Sequence, residues 1–558
     1  MYYLNLLKSF KDYHFKDLRS DVFSGLIVSL VSLPLAMSFS ISVGLGPELG
    51  LYSAIIGGFL AALFGGSETN IVGPTGAFVA VLGAIMIQYG YEDLLIAGML
   101  SGVILLLASL FRLGSFIQYV PYPVILGFTG GIGIIILSTQ LGNMFGLEDL
   151  LKYEHFHENL LEVFRNLGNY QIAALGITAL TMVLIEGVSA ISKRIPAPLV
   201  GIVLAALVVY FFDLDVKTIE DAFGAIPQSL PSIQVPSITL NKVINLLPMA
   251  FTIAALASIE TLLSALASDS MKNTTHNSSF ELVGIAIANM VGPLFGAIPV
   301  SGAIARTTLN AKSGSRTRVA AMFNAIFLFG MMMLLAPLVN HIPLAALAGL
   351  LVLLSVKMID VEVGYQLLRD HDWTDFLLLM STFLLTIFVG LTMGIAVGMS
   401  IASLVFLKKM SDSTVSKTVL REVEGEKKLL ATNEKIKCEH IGIYTIDVPL
   451  FFGTARSIVR SLTRVAPTKA IILRLTNLSG LDATGLQALK EILDMHSVRH
   501  RIYLSGIDEK TKKIFKKTGL LKLIGEDHIF EKSKDAINAA LLSQGLKKGC
   551  DQYKVTSK

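Results

Sequence analysis

Cysteine is nearly absent. Among 558 residues only Cys438 and Cys550 occur, both in a polar C-terminal stretch. Two thiols so placed exclude a disulfide framework and a Cys-based metal site. The ten histidines are scattered without ligand spacing. No glycine-rich loop of the phosphate-cradling kind and no Ser/His/Asp constellation stands out, so the sequence offers no catalytic residue, no cofactor and no enzyme chemistry. Charge is scarce too: 16% of residues are charged against 53% hydrophobic, too apolar for an ordinary soluble protein of this length. Residues 1–20 hold Lys8, Lys11, Lys16 and Arg19 but lack a cleavable apolar core, so no secretory signal is expected there.

What charge there is lies unevenly. Residues 1–410 contain 20 Lys/Arg and 25 Asp/Glu; residues 411–558 contain 26 and 17. The net +4 averages two unlike parts and gives no reason to expect a nucleic-acid partner. The pattern divides the chain into a cytoplasmic N-terminal segment (1–20), a transmembrane domain (21–410), a linker (411–434), a small soluble domain (435–545) and a C-terminal tail (546–558).

Fourteen apolar runs lie near 22–43, 49–64, 75–88, 93–111, 122–142, 171–191, 198–212, 247–267, 281–295, 302–310, 317–338, 343–357, 374–388 and 390–407. Alternate loops are basic, at Lys8/Lys11/Lys16/Arg19, Arg112, Lys193/Arg194, Lys312/Arg316/Arg318 and Lys408/Lys409. The others are acidic, at Glu92/Asp93, Glu148/Asp149/Glu154/Glu158 and Asp213/Asp215/Glu220/Asp221. Basic loops stay on the cytoplasmic side, so fourteen spans with both termini inside are expected.

Two of these segments are broken. Residues 66–80 read GSETNIVGPTGAFVA and residues 296–308 read GAIPVSGAIARTT. Each has a Gly/Pro-rich extended lead before a short apolar helix, opened by Thr75-Gly76-Ala77 in the first and Ser301-Gly302-Ala303 in the second. They are the third spans of two successive runs of seven, so they should enter the membrane from opposite sides. Short, interrupted spans at matching positions point to a transporter site. Two helix N-termini facing one point would present free N–H groups and positive dipole ends to an anion. Arg306 adds positive field.

Glu260 lies in FTIAALASIETLLSALAS, an otherwise uncharged span, and an acid at membrane depth is a functional candidate. It can hold Na+, with oxygens from Thr261 and Ser264, or carry a proton; the bland alternative is a structural pair with Arg306. Glu186, near a helix end, reads as structural, paired with a nearby Lys or Arg. SSFE at 278–281 reads as a capping box of Ser278 with Glu281. Gln140 reads as packing between helices. The tail alternates strand and helix, giving a small α/β sandwich: strands at HIGIYTIDVPLFF, KAIILRLTNLS and RIYLSGI, and helices near 453–465, at DATGLQALKEILDMHSVR, at EKTKKIFKKTGL and at KSKDAINAALLS. Asp482 is the expected N-cap of the second helix, and the KKIFKK run at 512–517 a solvated face.

Several long stretches resemble the sulfate permease (SulP) family of anion transporters, bacterial members included. They are SLPLAMSFSISVGLGPELGLYSAIIGG (32–58), YVPYPVILGFTGGIGIIILSTQLGNMFGL (119–147), the stretch from SIETLLSALAS (258) through Thr317, and LDATGLQAL (481–489), which is similar to the STAS signature. The resemblance implies an α-helical polytopic membrane protein of two inverted seven-span repeats, forming core and gate domains, followed by a cytoplasmic STAS domain. It implies a homodimer in the inner membrane working by elevator-like exchange of access. Its anion site would take Phe39 from span 1, Thr75, Gly76 and Ala77 from span 3, and Ser301, Gly302, Ala303, Ile304, Ala305 and Arg306 from span 10. Many relatives carry Gln after the proline of LPLAMSF; Leu35 stands there instead, as apolar residues do in cyanobacterial bicarbonate transporters. Thr484 matches a position phosphorylated in STAS-type antagonists, making it and Asp482 regulatory candidates for a cytoplasmic partner. The expected function is secondary transport of sulfate, bicarbonate or a dicarboxylate, coupled to H+ or Na+ at Glu260. An uncoupled exchanger or uniporter and a membrane-anchored STAS regulator are the alternatives.

Overall fold

A computed structural model of the chain describes residues 13–418 except 115–119, 149, 152, 154, 155, 193, 194, 230 and 370–372. Beyond these it describes 441–446, 450, 455, 459, 470–475, 481–497, 501–507 and 509–543. Expectations resting on Lys8, Lys11, Asp149, Glu154, Lys193, Arg194, Cys438 and Cys550, and most of the helix near 453–465, lie outside the described residues.

The apolar runs are helical because hydrocarbon offers the backbone no partner but itself. The helices are α1 (Phe15–Val43), α2 (Pro47–Phe64, with a π-turn at Ser53–Gly57), α3 (Gly76–Leu110), α4 (Tyr122–Phe145) and α5 (Phe156–Asn166). There follow α6 (Ile172–Ile191), α7 (Ala197–Phe211), α8 (Leu240–Lys272), α9 (Ser278–Val291), α10 (Ile304–Lys312) and α11 (Val319–Asn340). The last in this part are α12 (Leu344–Met358), α13 (Trp373–Phe388) and α14 (Leu391–Thr418). Each of the fourteen runs coincides with a helical segment, and α3 holds two of them. They are separated at Gly90, whose φ of 82° and ψ of 179° suit only glycine. Among the described residues, ten helical stretches are long and apolar enough to cross a membrane. Bulky apolar side chains stand on the outside, Leu334, Phe211 and Leu338 among them, as a lipid solvent allows and water does not.

Within residues 1–401 the helices sort by packing. α8 and α9 lie against α3, α11 against α1, and α10 against α8. α4 packs instead with α12 and α13, and α6 with α7 and α12. One group therefore carries both broken segments and the other carries neither. Two short strands, β1 (Val72–Gly73) and β2 (Ser301–Gly302), pair antiparallel, Val72 opposite Gly302 and Gly73 opposite Ser301.

The chain divides into units Met1–Ile401 and Ala402–Lys558, and α14 continues past the expected limit at 410 to Thr418. The second unit holds a parallel sheet in the order β3 (Ile441–Ile446), β4 (Ala470–Leu475), β5 (Arg501–Ser505), β6 (Ile529–Phe530). Successive β4 side chains alternate between two cores. Ile471, Leu473 and Leu475 meet Leu489 and Leu493 of α15 (Ala483–Ser497) and Phe515 of α16 (Glu509–Lys517). Ala470 and Ile472 meet Ala536, Ile537 and Ala540 of α17 (Ser533–Ser543). Helices thus cover both faces, the layering expected of an α/β sandwich.

Candidate functional site

The two broken segments meet. Because β1 and β2 run antiparallel, the helices that follow them, α3 and α10, leave in opposite directions from one crossing. The close approach needs glycine: a Cβ on Gly302 would stand 2.7 Å from the Thr261 Cα, and one on Gly73 would stand 2.7 Å from the Arg306 Nη1. Thr75 is the N-cap of α3 and Ala303 that of α10, and neither N-cap side chain makes a capping hydrogen bond. This corrects one expectation. Ser301 and Gly302 belong to β2 rather than the helix start, and the Gly302 N–H donates to Thr261 Oγ1 at 2.9 Å. It is therefore not a free anion donor. Ala303 N–H is also engaged, donating to the Ile71 carbonyl. The α10 terminus is formed by Ile304, Ala305 and Arg306, and the first two are exposed. Gly76 and Ala77 begin α3 as expected, both buried. Phe39 of α1 lies over that start, where a Cβ on Gly76 would come 3.3 Å from its ring and 2.7 Å from Ile136. Leu35, one turn earlier, is buried.

Three oxygens of this crossing form a triangle. Thr75 Oγ1 donates to Glu260 Oε2 at 2.6 Å and lies 2.9 Å from Ser301 Oγ, which donates to the same Glu260 oxygen in a very short contact. Glu260, on α8, is thus held by one hydroxyl from each broken segment. The expected structural alternative, an ion pair with Arg306, is not what its carboxylate makes. Arg306 is instead turned across β1, its Nη2 donating to the Pro74 carbonyl at 2.6 Å. Its Nη1 is buried without a hydrogen-bond partner, in a side chain only 2% exposed. A buried guanidinium with one unanswered donor is costly unless something else satisfies it.

Thr261 and Ser264 face the same crossing but not the Glu260 carboxylate. Thr261 accepts from Gly302, and Ser264 Oγ donates to Asn70 Oδ1 at 2.7 Å and lies 2.8 Å from Thr307 Oγ1. Neither hydroxyl is bonded to Glu260. Among the described residues no group of three or more His, Cys, Asp or Glu could hold a metal ion.

Other sequence candidates have structural places. Glu186 Oε1 pairs with Lys357 Nζ at 2.5 Å on the exposed surface. Gln140 donates to Ser42 Oγ and is buried between helices. The capping box is corrected: Asn277 caps α9, accepting from Phe280 N–H, and Glu281 is a buried carboxylate that reaches away to Gly66, Ser67 and Asn70. A Ser/His/Asp line does occur, Asp269 Oδ2 2.7 Å from His276 Nδ1 and Ser278 Oγ 3.0 Å from His276 Nε2. Asp269 also accepts from the His276 N–H and from Thr274, so the line closes the α8–α9 turn. Asp482 Oδ1 accepts from Gly485 N–H at the start of α15, as an N-cap does, and Thr484 beside it is exposed. Sequence reasoning missed Asn70, Asn289 and Thr307; a lone amide inside an apolar run, such as Asn289, was the available signal. A cavity of about 520 Å³ follows α1, α3 and α4, lined by Ser42, Ala80, Thr139 and Glu162 among others, but Thr75 and Ser301 are not in its wall.

Comparison with known proteins decides the family. Residues 18–382 match the sulfate permease family and residues 434–536 match the STAS domain. The chain belongs to the sulfate permease family. Among similar sequences, YvdB of Bacillus subtilis, a candidate sulfate transporter by name, is 36% identical over 94% of this chain and 98% of its own. The bicarbonate transporter BicA of Picosynechococcus is 29% identical over 95% of this chain and 96% of its own. The solved transmembrane domain of a cyanobacterial BicA aligns with a TM-score of 0.61 at 30% identity, covering 70% of this chain and 98% of that one. The structure of SLC26A9 aligns with a TM-score of 0.81 over 97% of this chain and 93% of that one, at 18% identity, a likeness of fold. The sulfate permease family member is therefore a bacterial, multi-pass membrane anion transporter with a STAS domain, and its named relatives are transporters rather than enzymes.

Proposed function

We propose that this family member is a secondary active transporter of a small oxyanion or carboxylate, with sulfate and bicarbonate the leading substrates and a dicarboxylate the third. The observation that carries the reading is the buried, unanswered Nη1 of Arg306 beside two oppositely directed helix starts. An anion seated there would accept from that nitrogen and from N–H groups at the start of α3 and α10, in the field of both dipoles. Phe39 closes the apolar side. The names of YvdB and BicA support sulfate and bicarbonate.

Glu260 is the coupling residue of this reading. The triangle of Thr75, Ser301 and Glu260 has three contacts but only two hydroxyl hydrogens, so a proton on Glu260 completes it. That favours H+, with Na+ as the other candidate. Access changes as the helix group bearing the site slides against the group of α4, α6, α7, α12 and α13, an elevator-like movement. The assembly is fourteen spans in two inverted repeats across the inner membrane. Both termini are cytoplasmic, the transmembrane domain covers 21–410 and the STAS domain 435–545, and two copies form a homodimer. Asp482 and Thr484 form the face of the STAS domain that a cytoplasmic regulator would read.

The test is uptake of labelled bicarbonate, sulfate and fumarate into liposomes holding the purified protein, under an inward Na+ gradient, an inward H+ gradient or neither. One anion should accumulate with one gradient, and Glu260→Gln should abolish the accumulation. Uptake indifferent to both gradients would make the protein an exchanger or uniporter and Glu260 a structural residue. Flux that survives removal of residues 411–558 would dispose of the anchored-regulator alternative.

A further inference from the structure

The two leads into the site are extended backbone at membrane depth, where every N–H and C=O must find a partner in the protein. One neighbouring helix, α9, supplies partners to both. Glu281 Oε2 accepts from Gly66 N–H and Ser67 N–H, each at 2.7 Å, and its Oε1 accepts from Asn70 Nδ2 at 2.7 Å. Asn70 passes the hold on, its Oδ1 accepting from Ser264 of α8 and Thr307 of α10. Two turns along α9, Asn289 accepts from Val300 N–H at 2.8 Å and donates to the Val300 carbonyl at 3.2 Å, just before Ser301. Glu281 and Asn289 are 3% and 1% exposed. They share a buried face of α9 with Gly284, where a Cβ would stand 2.8 Å from Gly65 N.

We infer that α9 is the ruler of the anion site, with Glu281 and Asn289 as positioning residues. Asn289 lies eight residues along the helix from Glu281, about 12 Å of axial rise. That rigid length fixes the first lead relative to the second, and so fixes how the starts of α3 and α10 face one anion. Ligand geometry of this kind tolerates about 0.5 Å of drift. The inference rests on the anion reading proposed above and adds residues that contact no ligand.

The test compares Glu281→Gln and Asn289→Ala with Leu282→Ala, a buried change on the same helix that bonds to neither lead. Half-saturation and maximal rate for labelled bicarbonate and sulfate are measured in liposomes, per folded molecule, beside the melting temperature. The two positioning variants should raise half-saturation roughly tenfold, the scale on which outer partners of a bound ligand act. Leu282→Ala should lower the melting temperature and leave half-saturation in place. If all three behave like Leu282→Ala, α9 is scaffold only and the inference falls. Should Glu281→Gln fail to fold, Asn289→Ala decides alone. Arg306→Ala run in parallel separates the two claims. If it shifts half-saturation while the α9 variants do not, only the ruler is wrong; if it shifts nothing, the anion reading falls and takes the ruler with it.

Discussion

Replacing Arg306 isolates the anion's charge partner. The side chain offers two things: the Nη2 bond to the Pro74 carbonyl at 2.6 Å and the unanswered Nη1. Only the second is available to a ligand. A hydrogen bond from a charged donor contributes about 1.5–3 kcal/mol, which converts to a loss of roughly 10- to 150-fold in anion affinity for Arg306→Ala. The Pro74 bond acts on folding instead, so the same variant should also melt at a lower temperature. Arg306→Lys separates the two effects. An ammonium keeps the charge but cannot spread two planar donors between Pro74 and an anion, so its affinity should fall between wild type and Arg306→Ala. The assay is concentration-dependent uptake of labelled sulfate and bicarbonate into liposomes, with orientation and folded fraction matched, alongside equilibrium binding in detergent. An Arg306→Ala protein that melts lower but binds anion with unchanged half-saturation would refute the reasoning, leaving the arginine as a brace for β1.

Three further outcomes follow from other contacts. Gly302→Ala places a methyl 2.7 Å from the Thr261 Cα and 3.0 Å from Asn70 Nδ2; overpacking of this kind costs about 1–3 kcal/mol. Uptake should collapse with it, and a variant that transports normally would show that the crossing can spread. Glu186→Gln removes an exposed ion pair with Lys357, a change within about 1 kcal/mol, so uptake and melting should match wild type; a transport defect would give Glu186 a role the structure does not assign. In the loop helix Ile219–Phe223, hydrogen bonds from the side chain and then the backbone of Thr218 hold the Asp221 carboxyl below its usual range. That stabilisation is fully present above the ordinary carboxylate value of about 4. It is lost as pH falls through the lower folded value, so exchange protection of the Ala222 and Gly224 amides, corrected for intrinsic rate, should drop there and not at neutral pH.

Much was legible before any coordinates. Hydrophobic run length is a one-dimensional property, and hydrocarbon admits few backbone solutions, so each apolar run became a helical segment. KAIILRLTNLS, read as a strand, likewise holds β4, which is covered on both faces. The interrupted segments 66–80 and 296–308 and the lone acid Glu260 were visible as violations of the surrounding pattern. The capping box was misread because SSFE is satisfied locally on paper. In three dimensions Glu281 has better partners in Gly66 and Ser67, more than two hundred residues away in sequence, and Asn277 takes the cap. Likewise Ser301 and Gly302 read as a helix start until the strand pairing with Val72 and Gly73 claimed them.

The sequence by itself therefore determined which segments become apolar helices, which two are broken, that an α/β tail follows them and which family the chain resembles, since composition and periodicity act locally. Only the tertiary structure decided that the broken segments cross antiparallel and that Arg306 turns to Pro74 with one nitrogen left over. It alone brought Thr75, Ser301 and Glu260 to one point and set Glu281 and Asn289 gripping the two leads. Those are pairings between residues far apart in the chain, fixed by the need to satisfy buried polar groups, and no local pattern encodes which distant partner will do so.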